Sequence, residues 1–154
     1  MDAAAAAIQG RCLCGAVQFH LDPPTDFLAM CHCRSCRLSH GAPFVAWTSV
    51  PLARFQFDAG EEQVRWYRSS EWIRWGFCGE CGSPLLYRAD AEGHPESPGV
   101  DRMYVSAGAL VTPLDRRLER HVSWEERVDW YAPGDGLPRH LGKSEATAAG
   151  DETG

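Results

Sequence analysis

The sequence predicts a mainly β domain of short strands with a few helical turns, and three observations carry that prediction. Apolar residues recur at every second position through much of the chain, helical periodicity is weak, and fifteen glycines and ten prolines supply turns beyond an average chain's share. A length of 154 residues leaves room for one hydrophobic core and little for two. Val17, Phe19 and Leu21 mark one face of a first strand over 16–21. Val45 and Trp47 do the same within 43–50, and Phe55 and Phe57 within 53–57. Val64 and Trp66 lead to a turn at Ser69 and Ser70, after which Ile73, Trp75 and Phe77 alternate with Trp72 and Arg74. Strands at 85–88 and 103–107 follow, and helical turns are expected at 35–40 and 114–120. The body is expected to span 10–138, between a flexible N-terminus at 1–9 and a disordered tail at 139–154. The stretch 90–101, with Gly93, Pro95, Pro98 and Gly99, reads as a surface loop.

Composition narrows the function classes. Hydrophobic residues at 44% and charged residues at 23% exclude wholesale disorder. A formal charge of −6 argues against a nucleic-acid partner, which needs a basic surface. No apolar run approaches the ~20 residues that span a bilayer, so no membrane role is expected. Met1-Asp2-Ala3 opens with an acid where a secretory signal needs basic residues, so the chain is expected in a reducing cytoplasm.

Seven cysteines are the informative residues, and they cluster. Cys12 and Cys14 flank Leu13, Cys31, Cys33 and Cys36 share one short run, and Cys78 and Cys81 enclose Gly79 and Glu80. Packing cysteines have no reason to cluster this way, and structural disulfides are rare in a reducing compartment. The two pairs supply four thiolates, which suits a closed tetrahedral zinc site, and the adjacent glycines suit the sharp turns such a site needs. The middle run then keeps three thiolates, the ligand number of an open, catalytic site. A second partition pairs Cys33 and Cys36 with Cys78 and Cys81 as a zinc ribbon and leaves Cys12, Cys14 and Cys31 as spare thiols. His32 and His40 are the nearest further ligands for the middle site, although His32, set between two cysteines, is expected to point away.

These blocks match a known pattern. Residues 10–17 around Cys12 and Cys14, the run Cys31-His32-Cys33-Arg34-Ser35-Cys36-Arg37 with Gly41-Ala42-Pro43-Phe44 behind it, and 77–85 around Cys78 and Cys81 resemble the family of glutathione-dependent formaldehyde-activating enzymes and centromere protein V. Residues 105–110, His121, Trp130-Tyr131 and Gly136-Leu137-Pro138 resemble that family's second half. The resemblance implies a zinc-held β-tent fold of small antiparallel sheets. It implies two zinc ions per chain, a structural one on Cys12, Cys14, Cys78 and Cys81 and a catalytic one on Cys31, Cys33 and Cys36. The activity implied is that of a carbon–sulfur lyase, joining glutathione and formaldehyde as S-hydroxymethylglutathione or cleaving that adduct.

An open zinc ion can hold a substrate thiol as its thiolate or polarise a carbonyl, and it would act here on glutathione or a related small thiol with an aldehyde. Arg34 and Arg37 are candidates to meet glutathione's carboxylates, although a solvated surface position is the commoner fate of such residues. Trp47, Trp66, Trp72 and Trp75 suggest an apolar pocket wall, against a default expectation of core aromatics. His121 with Trp124 is a candidate proton carrier, against a default of a core histidine bonded to backbone. Two other functions compete. A redox or metal sensor would use the spare thiols, and a non-catalytic zinc-binding module would dock partners.

Overall fold

In the computed structural model, which describes residues 4–90 and 99–143, the period-two alternation becomes ten strands and one α-helix among those residues. They run β1 (Ile8–Arg11), β2 (Gln18–Leu21), β3 (Ala29–Cys31), α1 (Arg34–His40), β4 (Val45–Pro51), β5 (Phe55–Ala59), β6 (Val64–Arg68), β7 (Ile73–Cys78), β8 (Pro84–Ala89), β9 (Arg102–Ser106) and β10 (Arg120–Val122). β1, β2 and β5 form a three-stranded antiparallel sheet. The rest form a second sheet in the order β10-β3-β4-β9-β8-β7-β6, antiparallel except where β10 lies parallel to β3. No helix among the described residues is long and apolar enough to cross a membrane.

Alternation gives the larger sheet two different faces. Val50, Leu86, Met103 and Val105 pack with Ile8, Val17, Phe19 and Leu21, joining the two sheets through one core. Ile8, Phe19, Leu21, Leu85 and Leu86 are each at most 2% exposed. Burying each contributes about 1.5–3 kcal/mol, so this layer carries the larger share of hydrophobic stabilisation. Val45, Trp47 and Tyr104 belong instead to a second cluster, with Ala29, Cys31, Cys33 and Cys36, against which Trp75 and Tyr87 pack. Trp75, Tyr87 and Tyr104 stand in register on β7, β8 and β9, forming one aromatic row.

The helical turn expected at 35–40 is α1. Its start is capped by the Cys33 side chain, which accepts the Cys36 N–H, and it stops at Gly41 in the left-handed region with φ 60°. The turn expected at 114–120 is not helical. Asp115 accepts the backbone N–H and hydroxyl of Thr25, and Arg116 donates to the Thr25 carbonyl and to Glu119. These bonds hold the segment in an open path into β10, competing with helix formation.

Order begins earlier than the sequence suggests, because Ile8 is buried in β1 opposite Leu21. It also extends past 138, where Arg139 bridges to His121 and the His140 N–H donates to the His121 carbonyl. The rest of the expected tail, 144–154, and most of the expected surface loop, 91–98, lie outside the described residues. β3 and β10, three residues each, are too short for alternation to reveal.

Gly60, in the turn from β5 towards β6, has φ 75°, and a Cβ there would lie 1.8 Å from the Ala16 carbonyl oxygen. Gly60→Ala is therefore expected to cost about 2–4 kcal/mol, seen as a lower urea midpoint at unchanged slope. A midpoint equal to the parent's would contradict this close approach.

Candidate metal centres and active-site cavity

Four cysteines meet where two turns face each other. Cys12 and Cys14 follow β1, Cys78 ends β7, and Cys81 lies in the turn to β8. The Leu13 N–H donates to the Ser83 hydroxyl at 3.0 Å, locking one turn to the other. The four Sγ atoms all lie within 4.8 Å of one another, with Cys12 to Cys14 at 3.5 Å and Cys14 to Cys78 at 3.9 Å. Four sulfurs on one tetrahedral zinc, at about 2.3 Å from the ion, stand about 3.8 Å apart, so this donor set fits a closed site. The Val17 N–H points at Cys12 Sγ from 3.3 Å. The Ser83 hydroxyl beside Cys81 draws that thiol down to about 5. Gly15 and Gly82 take the positive φ values, 81° and 78°, that such turns demand. Gly79 serves a different need, since a Cβ there would press on the Gln63 carbonyl at 2.9 Å.

The other three cysteines converge at the end of β3. Cys31 closes that strand, Cys33 caps α1, and Cys36 lies in its first turn, with all three sulfurs within 4.8 Å of one another and all three residues buried. Two sulfurs receive N–H donors: the Cys36 backbone reaches Cys33 Sγ, and the Trp47 indole reaches Cys36 Sγ, each at 3.3 Å. Cys31 Sγ lies 4.0 Å from the hydroxyl of Ser123, a buried residue in the left-handed region at φ 52°. Hydrogen bonds from Cys31 and Cys36 hold the Cys33 thiol well below its ordinary range, while the same coupling raises Cys31 and Cys36. A cation among the three sulfurs would remove that conflict, so this trio also fits a metal. All seven cysteines are free thiols, and they group as four and three. The fold does not bring Cys33 and Cys36 to Cys78 and Cys81.

Cys31 and Cys36 form part of the wall of a cavity of about 430 Å³, which none of Cys12, Cys14, Cys78 and Cys81 lines. Six aromatic side chains build much of the remainder: Phe27, Trp47, Trp72, Trp75, Tyr87 and Tyr104. Trp47, Trp72 and Trp75 thus form the suspected pocket wall, whereas Trp66 packs on the main core with the Arg74 guanidinium over its ring. Tyr87 stacks on Tyr104 with centroids 4.3 Å apart and meets the Trp47 edge at 4.6 Å. Desolvation, then the neighbouring Tyr104 and thiols, raises the Tyr87 phenol well above its ordinary value, so it stays protonated at neutral pH.

Neither Arg34 nor Arg37 lines this cavity; Arg37 instead donates to the His32 carbonyl. Its cations are Arg120, which pairs with Glu119 at 2.9 Å, and Lys143. Neither histidine near the trio joins it as a ligand. His40 bonds Ser39 and packs on the edge of Trp47. His32 turns away, and its Nε2 meets His121 Nδ1 at 2.8 Å, while His121 Nε2 meets Asp135 at 2.9 Å. A carboxylate only accepts, so His121 Nε2–H donates to Asp135, and the His32 Nε2–H donates in turn to His121 Nδ1. Burial, reinforced by His121, lowers His32 to about 4 and keeps it neutral. His121 is therefore a core histidine, as the default reading had it, but its ring bonds side chains rather than backbone. These linked rings tie down His32, between Cys31 at the end of β3 and Cys33 at the cap of α1.

The sequence reading missed Phe27, Tyr87, Tyr104, Arg120 and Lys143. Tyr87 and Tyr104 carried a partial signal, since both fall in segments read as strands.

Residues 7–125 match the glutathione-dependent formaldehyde-activating enzyme family. An uncharacterized lyase of Schizosaccharomyces pombe is 30% identical over 79 residues, which cover 51% of this chain and 56% of that protein. The match thus spans little more than half of that relative's length. In fold, the chain is similar to a Rhodobacter sphaeroides protein of known crystal structure, with a TM-score of 0.53 and 23% identity. That likeness covers 71% of this chain and 97% of the other. With its fold and cysteine blocks in place, and with most of its length inside that match, the chain belongs to the glutathione-dependent formaldehyde-activating enzyme family.

Proposed function

We propose that this chain is a zinc-dependent carbon–sulfur lyase that forms or cleaves the adduct of an aldehyde with glutathione or a related small thiol. The observation that carries the reading is the contrast between the two thiol groups: Cys31 and Cys36 of the buried trio border a cavity that none of the other four cysteines lines. The family's description, glutathione-dependent and formaldehyde-activating, supports the substrate pair, and the yeast relative is itself named a lyase. In this reading Cys12, Cys14, Cys78 and Cys81 hold a structural zinc, and Cys31, Cys33 and Cys36 hold a catalytic one. Zinc bound by the trio would supply positive charge that lowers the pKa of a substrate thiol.

The chain's own residues do the rest. The Trp47 indole and the Cys36 backbone N–H hold two ligand sulfurs in place, and the aromatic walls exclude water. The Tyr87 phenol donates a hydrogen bond to the oxygen of the adduct. In the forward direction the thiolate sulfur attacks the carbonyl carbon, the carbon–sulfur bond forms, and the oxygen takes up the displaced electron pair and a proton. In reverse the hydroxyl gives up its proton, the carbonyl re-forms, and the carbon–sulfur electrons return to sulfur. No oxidant is consumed, and the reading needs reduced thiols, which suits a reducing cytoplasm.

Exchange NMR of glutathione with formaldehyde tests this. The chain is expected to accelerate exchange about tenfold or more over buffer. Tyr87→Phe is expected to lower kcat about 10–100-fold with KM little changed. No acceleration with glutathione and any small aldehyde would overturn the reading.

A further inference from the structure

We infer that the substrate carries an aromatic ring beside its reacting carbon–sulfur centre, on either the carbonyl or the thiol partner, and that the aromatic row of the cavity receives it. The inference rests on the lyase reading for the reaction, and on the cavity alone for the ring. Size is the first argument. A cavity of 430 Å³ has space on the order of fourteen waters at about 30 Å³ each, and formaldehyde has only two heavy atoms. A one-carbon aldehyde leaves nearly all of that space to the thiol partner or to a larger carbonyl partner, so one of the two brings a sizeable group with it.

The chemistry of the walls is the second argument. Trp75, Tyr87 and Tyr104 stand in register, with Tyr87 5.5 Å from Trp75 and 4.3 Å from Tyr104 between centroids. The indole N–H of Trp47 is spent on Cys36 and that of Trp75 on Ser69, at 3.3 and 2.8 Å, so both polar edges are already used. What these two indoles still present is ring surface, and ring surface pairs well with a further ring, stacked or edge-on. Charge is the third argument. Glutathione carries two carboxylates, yet among the described lining residues Arg120 already pairs with Glu119, which leaves Lys143 to meet both charges. These walls fit a neutral ring better than the anionic ends of a peptide, which would lie outside.

Calorimetric titration of the zinc-loaded chain with benzyl mercaptan and with 2-mercaptoethanol, thiols of similar acidity, reads the ring's contribution without turnover. Benzyl mercaptan is expected to bind about tenfold tighter or more. Trp75→Ala is expected to cut that ratio about threefold or more, and Trp72→Ala provides the same reading should the first variant fold poorly. A ratio near one in the parent chain would overturn the inference. Turnover of glutathione with phenylacetaldehyde against acetaldehyde, and of formaldehyde with benzyl mercaptan, then shows which partner carries the ring. Acceleration of glutathione with formaldehyde but no ring preference would overturn the inference and leave the lyase reading standing. Ring-selective binding without turnover of any pair would do the reverse.

Discussion

Cys78→Ser is expected to abolish cooperative folding. Cys78 is fully buried, ends β7, and belongs both to the four-thiol group and to the core that joins the two sheets. Its backbone also closes its own turn into β8, donating to the Ser83 carbonyl at 3.0 Å and accepting from Gly82 at 2.8 Å. In the proposed zinc site, replacing one thiolate leaves a hydroxyl of far lower metal affinity and strands three thiolates near one another. Structural zinc sites contribute about 10–16 kcal/mol in small peptides, whereas a domain of ordinary stability has only about 5–15 kcal/mol in hand. Losing most of that binding energy removes a margin of about this size. Circular dichroism is expected to show no cooperative thermal transition for the variant. A sharp transition within a few degrees of the parent's would show that the four thiols are not a structural metal site.

Cys36→Ser is expected to act in the opposite way, removing activity while sparing the fold. Cys36 lies in the first turn of α1, in the cluster on the far face of the large sheet from the main core. Serine there keeps the size of the side chain and can still accept the Trp47 indole N–H. The four-thiol group and the inter-sheet core are untouched, so the melting temperature is expected to fall by only a few degrees. Turnover is expected to drop about a thousandfold or more, because a bound metal contributes several kcal/mol and each 1.36 kcal/mol is a factor of ten. Full activity in a variant that has lost this metal would sink the proposed role of the trio.

Much of this site is legible in one sequence because cysteine clustering is local. Cys31, Cys33 and Cys36 share a single turn, and Cys78 and Cys81 another, so short spacing reports proximity without knowledge of the fold. Strand alternation was readable for the same reason at 45–47, 55–57 and 73–77, where residues two apart share a face. The aromatic row was not readable in this way. Trp75, Tyr87 and Tyr104 come together through the pairing of β7, β8 and β9, and that register depends on turns and bulges rather than on any local pattern. Arg120 reaches the cavity because β10 lies parallel to β3, a contact spanning some ninety residues between two very short strands. The segment at 114–120 misled for a related reason. Its charges suggest a solvated helical face, but Asp115 and Arg116 are spent on Thr25, far away in sequence.

The proposed chemistry needs two metal sites with different jobs, and zinc content per chain tests that most directly. It would be measured on anaerobically purified parent protein and on the variant with Cys31, Cys33 and Cys36 all changed to serine. Two zinc ions in the parent falling to one in the variant, with the fold retained, is the predicted result. One zinc in both proteins would mean that the trio binds none, and would contradict the account at its centre.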